Sequence, residues 1–454
     1  MIRFKLNAKN FMDAESMATA YLTAYYGNNE IVYPISPFKM LKDEGISFAM
    51  RNFSKLEGVY IPAQSEEDIA TVGINAKRPI TRQRFTAAHE LCHHFRDAEN
   101  QVACPIGQKN ASEKFADSFA SALLMPMGAL IAKVNEYKDD NGNVSFDDVL
   151  KIADYFGVSF ESCVRRIAYK IHAIEGDIES NELKRRITKY QPDNKRKELG
   201  LSYERLYSDL IDNYVEQLRF QPNDYAKFVF ENTYIYNDSR MEGLEVSIEE
   251  ASEIVTDLRN NFQNSQYCTE ENEAFLSVAG HYRMYQDIFE LPVKESLNIY
   301  DSFRLNKDLF AYYPHPEFGG NPRQNNVVIS GAKFEAVDYH EIFTELAKVD
   351  EEIKRYYENR KNITASEYIK HVIRIHHQIT VIHPFSEGNG RTARAFMNVQ
   401  LIRAGFTPIY IKVEEKKSYI EALERVDTEK DYGYLYEIIF KVMIRSHIEL
   451  CMNP

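Results

Sequence analysis

The segment spanning residues 383–394 combines a glycine-rich loop with the start of a helix. Gly388 and Gly390 flank Asn389, and glycines allow the positive φ angles that point successive backbone N–H groups into one hollow. Beyond the loop, apolar residues recur at helical spacing until Gly405 ends the pattern. The hollow is therefore expected at a helix N-terminus, where unpaired N–H groups and the helix dipole favour a bound anion such as phosphate.

Charged side chains around this loop suit a nucleoside triphosphate. Arg391 and Arg394 lie three residues apart on one helix face, where forked guanidinium groups can bind phosphate oxygens. Glu387 offers the hard oxygen ligand that Mg²⁺ on a triphosphate requires. His383 enters the loop from the other side and can accept a proton from an incoming hydroxyl at neutral pH.

The same segment resembles the signature of Fic domains, which usually transfer AMP from ATP to a Ser, Thr or Tyr hydroxyl of a protein. The resemblance implies that His383 is the general base and that Phe385 is a buried anchor for the loop. Related kinases of the Doc type carry Lys at the position of Gly388, so AMP transfer is favoured over phosphorylation. The resemblance assigns the other signature positions to the nucleotide and its metal, with Glu387 as the Mg²⁺ ligand, Gly388, Asn389 and Gly390 at the α- and β-phosphates, and Arg391 and Arg394 at the outer phosphates.

Residues 320–331 are predicted to form a small β-hairpin flap. Turn residues at 320–323 precede a short apolar run at 326–329, which Ser330 and Gly331 close. The position resembles that of the flap with which Fic domains pair with the backbone of a target protein.

A second resemblance to Fic proteins lies upstream, at residues 238–243. Many of them carry an inhibitory helix with Ser or Thr four residues before a Glu, and Glu242 matches that Glu while Asp238 replaces the hydroxyl residue. A Glu242 carboxylate paired with Arg394 would occupy the guanidinium that should bind the γ-phosphate, and would misalign the α-phosphate for attack. The alternative is a surface glutamate on a loop. Some such enzymes use this Glu to remove AMP, so the reverse reaction is also open.

Residues 89–93 fit the H-E-x-x-H pattern of zinc enzymes. His89 and His93 stand four residues apart on a predicted helix and can bind one Zn²⁺, and Glu90 can act as a base beside it. Glu113 lies on a second predicted helix and is the expected third ligand. Asp117, four residues later, is expected to orient a histidine ring.

The residues around this pattern resemble the ImmA/IrrE metallopeptidase family, in the stretches 84–93, 116–120 and 123–126. The resemblance implies a zinc-dependent peptidase that cleaves a helix-turn-helix repressor or an antitoxin. His94 lies off the ligand face and is expected to be solvated. Members of the family also act as sensors or scaffolds, so a domain without zinc, or one that holds zinc without catalysis, remains an alternative.

Composition limits the remaining possibilities. The net charge of −13 argues against broad binding of nucleic acid. Five scattered cysteines without metal-knuckle or disulfide spacing indicate a reducing cytoplasm. No apolar run approaches the length of a membrane span, and the charged N-terminus does not resemble a signal peptide.

The predicted fold is mainly α, in two domains. Residues 1–176 are expected to form an α+β, zincin-like metallopeptidase domain, and 177–222 a charged linker or helical connector. Residues 223–454 are expected to form an all-α Fic domain that begins with the inhibitory helix.

These features together favour a cytoplasmic protein adenylyltransferase that uses ATP and Mg²⁺ and is fused to a zinc peptidase, as in a toxin–antitoxin or defence module. One alternative is a peptidase whose Fic region only senses nucleotide. Another is a binding protein with structural zinc, and a third is a transferase that moves UMP or GMP or removes AMP.

Overall fold

The computed structural model describes residues 10–65, 67–97, 102–105, 107, 110–176, 178–261, 264–269, 271–294, 296–329 and 332–452. The chain divides into two compact units, Met1–Tyr214 and Val215–Pro454.

The first unit contains a four-stranded mixed sheet. Its strands are β1 (Ser47–Arg51), β2 (Leu56–Ile61), β3 (Thr71–Asn75) and β4 (Val102–Pro105), in the order β1-β3-β2-β4. β1 runs parallel to β3, whereas β2 is antiparallel to both β3 and β4. β2 and β3 are the two inner strands and both contact a helix, and β3 is the more buried of the two.

Helices surround this sheet. They are α1 (Ala14–Tyr26), α2 (Pro37–Asp43), α3 (Ile80–Arg96), α4 (Ala111–Leu124), α5 (Met127–Tyr137), α6 (Phe146–Phe156), α7 (Phe160–Arg166), α8 (Ser180–Tyr190), α9 (Pro192–Glu198) and α10 (Glu204–Asn213). α3 is the central helix, because α4 packs on it from one side and β2 and β3 contact it from another. Every side chain of α3 from Thr86 to Phe95 is buried. No single described helix is long and apolar enough to cross a membrane, and α4 with α5 meets that criterion only as a pair bent by 54°.

The division between the units differs from the connector expected over 177–222. Helix α10 packs into the first unit, where Asp209 accepts a hydrogen bond of 3.2 Å from Nη1 of the fully buried Arg84. Tyr214 closes the unit, because its hydroxyl accepts a 3.2 Å bond from the Met50 amide and its ring stacks on Phe48. The helical pattern of α10 is visible in the sequence, but the charged stretch at 177–198 before it placed this helix in the expected connector.

The second unit consists of helices and connecting loops, and its described residues contain no strand beyond isolated β-bridges. Its α-helices are α11 (Asp224–Met241), α12 (Ile248–Asn261), α13 (Glu273–Glu290), α14 (Asp301–Leu309), α15 (Ile342–Asn359), α16 (Ala365–Ile382), α17 (Asn389–Arg403), α18 (Lys416–Glu429) and α19 (Gly433–Cys451). Apolar residues of α11 to α17 form one buried cluster, and α17 contributes side chains from most of its length. The expected mainly α fold in two units, with the sheet confined to the first, is confirmed.

The structure corrects the prediction of a flap, because the described part of that segment forms no strand. Residues 326–329 form no strand, and Ser330 and Gly331 lie outside the described residues. Only Pro322 makes a β-bridge, to Phe385. Among the described residues of the second unit no strand runs beside 326–329, so its backbone has no partner with which to form a ladder.

Candidate functional site

Helix α16 ends at His383 and thereby sets the start of the glycine-rich loop. The helix begins with a capping box between Thr364 and Glu367. It ends when His383 adopts a left-handed conformation, with φ 51° and ψ 58°, while its amide still donates to the Ile379 carbonyl at 3.0 Å. This reversal directs the chain away from the helix and into the loop.

Arg323 holds this turn in place from outside the loop. Its buried guanidinium donates to the carbonyl oxygens of His383 at 2.7 Å, Asn325 at 2.8 Å and Ile382 at 3.3 Å, and also to that of Val337. The sequence indicated Arg323 only as part of a turn. This role could not be predicted from the sequence, because all the acceptors are backbone carbonyl oxygens, which every residue carries.

The imidazole of His383 is half-buried. Nδ1 lies 3.3 Å from the Thr380 carbonyl oxygen, so a proton on Nδ1 leaves Nε2 as the acceptor. Burial lowers the pKa of His383 below its usual value of 6.5. The ring is therefore neutral at pH 7 and can accept a proton, as a general base must.

Asn389 closes the loop with its side chain. Oδ1 accepts from the Phe385 amide at 2.9 Å and Nδ2 donates to the Phe385 carbonyl at 2.8 Å. Phe385 is fully buried and meets the Phe303 ring edge-on at 4.9 Å. Phe385 thus has the burial that an anchor needs, while Asn389 offers only its backbone N–H to a bound phosphate.

Gly388 forms the N-cap of α17 at a position where an added side chain would crowd its neighbours. Its φ is 76°, and an added Cβ would lie 2.8 Å from Phe310 Cε2 and 2.9 Å from Leu309 Cδ2. A lysine like that of the Doc-type kinases would meet both obstacles here. Glu387, one residue earlier, is exposed, while its carbonyl accepts from Asn306 Nδ2 at 3.0 Å. The Glu387 carboxylate therefore faces solvent beside the helix start and can reach a cation there.

Arg394 is buried and paired with two carboxylates at the end of α11. Nη2 lies 2.5 Å from Glu242 Oε1, and Nε forms a hydrogen bond with Asp238 Oδ1. Burial alone would raise the pKa of both carboxyl groups, yet the guanidinium outweighs burial and holds both pKa values below the usual range. The Glu242 carboxylate also lies close to Gly390, where an added Cβ would be 3.4 Å from Oε1. Glu242 thus places a negative charge at the start of α17.

A buried histidine supports Asp238 from behind. His281 Nε2 lies 3.1 Å from Asp238 Oδ2, and burial lowers the pKa of this histidine. The same helix, α13, carries Ser277, whose hydroxyl accepts from Arg391 Nη1 at 3.1 Å. His281 was not predicted, because an isolated histidine in a helix without a recognisable motif carries no functional signal.

The first unit contains a separate cluster of metal-binding side chains. His89 and His93 from α3, Cys104 from β4 and Glu113 from α4 are all buried, and one donor atom of each lies within 4.8 Å of the others. The two histidine Nε2 atoms are 3.1 Å apart, and Glu113 oxygens lie 3.3 Å from that of His89 and 3.4 Å from that of His93. Cys104 was not predicted as part of this cluster.

Carboxylates outside the cluster orient both histidine rings. Asp117 Oδ1 lies 3.0 Å from His89 Nδ1, as expected, and Asp97 Oδ2 lies 2.8 Å from His93 Nδ1. Burial lowers the pKa of His89, but Asp117 and Glu113 outweigh it and raise the pKa to about 9. Both rings thus turn Nε2 toward the cluster, the arrangement that histidine ligands of zinc usually show.

Glu90 lies at the base of a cavity of about 270 Å³ beside the cluster. The side chain is fully buried, and no described donor meets full hydrogen-bond geometry with either carboxylate oxygen, although the weakly donating Cys104 thiol lies close to them. Burial raises the pKa of Glu90 to about 7. Gly58 makes room for it, since an added Cβ would lie 2.4 Å from Glu90 Oε1. A buried carboxylate without a well-formed hydrogen bond is costly, and a catalytic role is one reason for which proteins keep such a group.

His94 differs from its expected solvated position. It is buried, and its Nδ1 lies 3.1 Å from the Tyr60 hydroxyl. His94 therefore packs against Tyr60 of β2 rather than facing solvent.

Two protein-family models match the chain. The IrrE N-terminal-like domain matches residues 43–168, and the Fic/DOC family matches residues 296–401. Among curated proteins, the chain is similar to protein adenylyltransferase Fic of Nematostella vectensis, at 46% identity over 52 residues, which are 12% of each chain. It is also similar to protein adenylyltransferase Fic of Drosophila erecta, at 28% identity over 131 residues, which cover 29% of this chain and 25% of the relative. The matched stretches thus span a quarter or less of these relatives.

The chain is also similar to the solved structure of Fic-1 of Caenorhabditis elegans, with 14% sequence identity and a TM-score of 0.45. The match covers 76% of this chain and 88% of that chain. A Fic domain-containing signaling protein of Bacteroides thetaiotaomicron has 19% identity and a TM-score of 0.43, with 54% and 94% covered. By the family matches, residues 43–168 form an IrrE N-terminal-like domain and residues 296–401 form a Fic domain.

Proposed function

We propose that the second unit transfers AMP from Mg-ATP to a Ser, Thr or Tyr hydroxyl of a protein. The observation that carries this proposal is the loop from His383 to Gly390, which joins a neutral imidazole to a glycine-lined helix N-terminus. A match to the Fic family and relatives named protein adenylyltransferase support the general Fic reaction.

Each residue of the loop can contribute a separate part of AMP transfer. Nε2 of His383 accepts the proton of the target hydroxyl, whose oxygen forms a bond to the α-phosphorus of ATP. The bond between the α-phosphorus and the bridging oxygen breaks, and pyrophosphate leaves. Backbone N–H groups at the start of α17 favour the negative charge that grows on the leaving group. A bound Mg²⁺ would be held by Glu387 and would neutralise phosphate charge.

Gly388 supports AMP transfer over transfer of the γ-phosphate. A lysine at this position would be strained by the positive φ and would meet Phe310 and Leu309. The outer phosphates are thus left to Arg391 and Arg394, at the start of the helix.

We propose further that Glu242 inhibits the reaction and that Asp238 has a different role. Glu242 binds the outer nitrogen Nη2 of Arg394, and its side chain is 33% exposed, so an anionic phosphate can compete for the same place. Asp238 binds the inner nitrogen Nε, and its side chain is 4% exposed. Loss of Glu242 would therefore free the end of the guanidinium, while Asp238 would keep it oriented toward the hollow.

The decisive experiment compares Glu242→Gly with Glu242→Gly/His383→Ala, each incubated with Mg²⁺ and α-labelled ATP. We expect label on protein with the first variant only, and none from γ-labelled ATP. Label from the γ-phosphate would indicate a kinase instead. Tight ATP binding without transfer would favour the nucleotide-sensing role. Greater transfer from α-labelled UTP or GTP than from ATP would identify UTP or GTP as the nucleotide donor.

A second candidate function belongs to the first unit, and the observation that favours it is the buried Glu90 carboxylate, which lacks a well-formed hydrogen bond and lines a cavity beside the metal-binding side chains. We propose that His89, His93 and Glu113 would hold Zn²⁺, which would supply Lewis acidity, and that Glu90 serves as the base of a peptidase. The proposed substrate is a helix-turn-helix repressor or an antitoxin, within a toxin–antitoxin module in the cytoplasm. Metal analysis of the purified protein tests the zinc, and a Glu90→Gln variant that cleaves as well as wild type would exclude this base.

A further inference from the structure

We propose that Cys104 is a fourth protein ligand of the metal centre and that it closes the position which a hydrolytic centre leaves open. The inference rests on the zinc centre proposed above. It adds to that centre a ligand outside the H-E-x-x-H segment and changes what the centre can do.

The distances around Cys104 suit a tetrahedral ion. Sγ lies 3.4 Å from His89 Nε2 and 3.9 Å from Glu113 Oε1. The other measured donor separations in the cluster range from the 3.1 Å between the histidines to the 3.4 Å between His93 and Glu113. Tetrahedral zinc with bonds of about 2.0–2.3 Å separates its ligand atoms by roughly 3.3–3.6 Å. Three of these separations fall in that range, and the distances of 3.1 Å and 3.9 Å would need shifts of a few tenths of an ångström when a metal binds.

The sheet brings Cys104 to this place. β4 pairs with β2 so that Cys104 lies opposite Gly58, while its neighbour Ala103 lies opposite Val59. Because side chains alternate along a strand, Ala103 is exposed and Cys104 is buried. Gly58 is also the residue whose missing side chain makes room for Glu90. The thiol therefore enters the cluster on the side on which the Glu90 carboxylate lies.

This arrangement separates metal binding from hydrolysis. Structural zinc sites have four protein ligands, whereas catalytic sites have three and keep one position for water or substrate. With a thiolate from Cys104 in the fourth position, the centre would bind metal and stabilise the unit, and the peptidase reaction proposed above would require this thiolate to leave before water could bind beside Glu90. Removal of the thiolate would restore an open position next to Glu90.

Cobalt substitution tests the ligand directly in the full-length protein. The protein is stripped of metal with a chelator and titrated with Co²⁺, whose thiolate complexes absorb in the near ultraviolet by charge transfer from sulfur. We expect this band in wild type, and we expect Cys104→Ala to bind one Co²⁺ without it. Cys163→Ala is the matched control, since it removes another fully buried thiol of the same unit and should keep the band.

Each outcome decides one question. Bound Co²⁺ without the band in wild type, or a band that survives Cys104→Ala, would overturn the role of Cys104 and leave the three-ligand centre intact. No binding of Co²⁺ or Zn²⁺ would overturn the centre itself. If Cys104→Ala does not fold, X-ray absorption of the zinc-loaded wild type replaces it. There we expect one sulfur at about 2.3 Å, and a shell of nitrogen and oxygen alone would refute the proposal.

Discussion

His383 can act as a base only while its imidazole is neutral, and its burial favours that state. Because burial holds the pKa of His383 below 6.5, the imidazole stays neutral at pH 7 and takes up a proton only as the pH falls through the lowered pKa. The Asp238 carboxyl group, which Glu242→Gly retains, has a pKa below its usual range, so it does not titrate in this window. We expect kcat for AMP transfer by Glu242→Gly to be constant from about pH 7 to 8 and to fall below about pH 6.5.

A pH profile of kcat with saturating ATP checks this expectation. His383→Ala in the same background should lose roughly 10²–10⁴-fold in kcat at pH 7.5. A profile with its acid midpoint above pH 7 would contradict the neutral imidazole.

Arg323 should affect the rate rather than the affinity for nucleotide. Its guanidinium donates to four carbonyl oxygens, including that of His383, whereas a lysine ammonium cannot reach all of them at once. We expect Arg323→Lys to lower kcat by roughly 10–100-fold through misplacement of the base, with little change in KM for ATP. Arg360→Lys is the matched control, because the hydrogen bond that Arg360 donates among the described residues is to a local carbonyl, that of Tyr357. An equal loss of kcat in both variants would show that Arg323 does not position His383.

Substitutions at Gly388 and Gly405 distinguish the cost of backbone strain from the cost of steric crowding, because both glycines have left-handed backbones. Gly388 and Gly405 have φ of 76° and 83°, but an added Cβ at Gly405 meets nothing within 4 Å, whereas at Gly388 it meets Phe310 and Leu309. Gly405→Ala should lower the free energy of unfolding by about 1–2 kcal/mol from strain alone. Gly388→Ala should cost more and should also weaken ATP binding. Urea unfolding and nucleotide titration measure both effects, and equal losses of stability would mean that the loop relaxes around the new methyl group.

At the scale of elements, the end of α11 carries both carboxylates that bind Arg394. A hydrogen bond to a charged group contributes about 1.5–3 kcal/mol, and the one-third exposure of Glu242 favours the lower end. We therefore expect Glu242→Gly to raise the rate of AMP transfer by roughly tenfold. Adding Asp238→Asn should then lower the rate again, because Arg394 loses the contact that orients it.

Glu245→Gly is the control for this series, since Glu245 is exposed and lies three residues beyond Glu242. The measurement is the initial rate with α-labelled ATP for all four proteins, wild type included. If Asp238→Asn increased the rate further, Asp238 would be a second inhibitory group and not a residue that orients Arg394.

The elements also explain what could be predicted from the sequence. The loop from His383 to Arg394 is contiguous, so its spacing alone indicated a hollow at a helix start. Asp238 lies 156 residues from its partner Arg394, and Cys104 lies 15 residues from His89 on a different element. Such partners meet only through packing of helices and strands. The flap was predicted wrongly because strand propensity at 326–329 cannot supply a neighbouring strand.

At the scale of the whole molecule, hydrogen bonds and packing interactions determine where the first unit ends. Arg84 is fully buried in α3, where its Nη1 bonds to Asp209 and its Nε to the Gly157 carbonyl. Charged residues near 177–198 suggested a connector from the sequence, but α10 and Tyr214 belong to the packing of the first unit. A chain that ends after residue 176 would leave the Arg84 guanidinium without its carboxylate.

We therefore expect two truncations of the first unit to behave differently. Loss of one partner from a buried ion pair typically costs about 3–5 kcal/mol, and the fragment 1–176 would also expose the residues that α10 covers. The fragment 1–214 keeps Asp209 and Tyr214 and should unfold cooperatively in urea, with the metal content of the full-length protein. Fragment 1–176 should be unfolded or less stable by at least that amount, and Asp209→Asn in the longer fragment isolates the ion pair. Equal urea midpoints for the two fragments would show that the first unit ends before α8 and that the helices after it only lie on its surface.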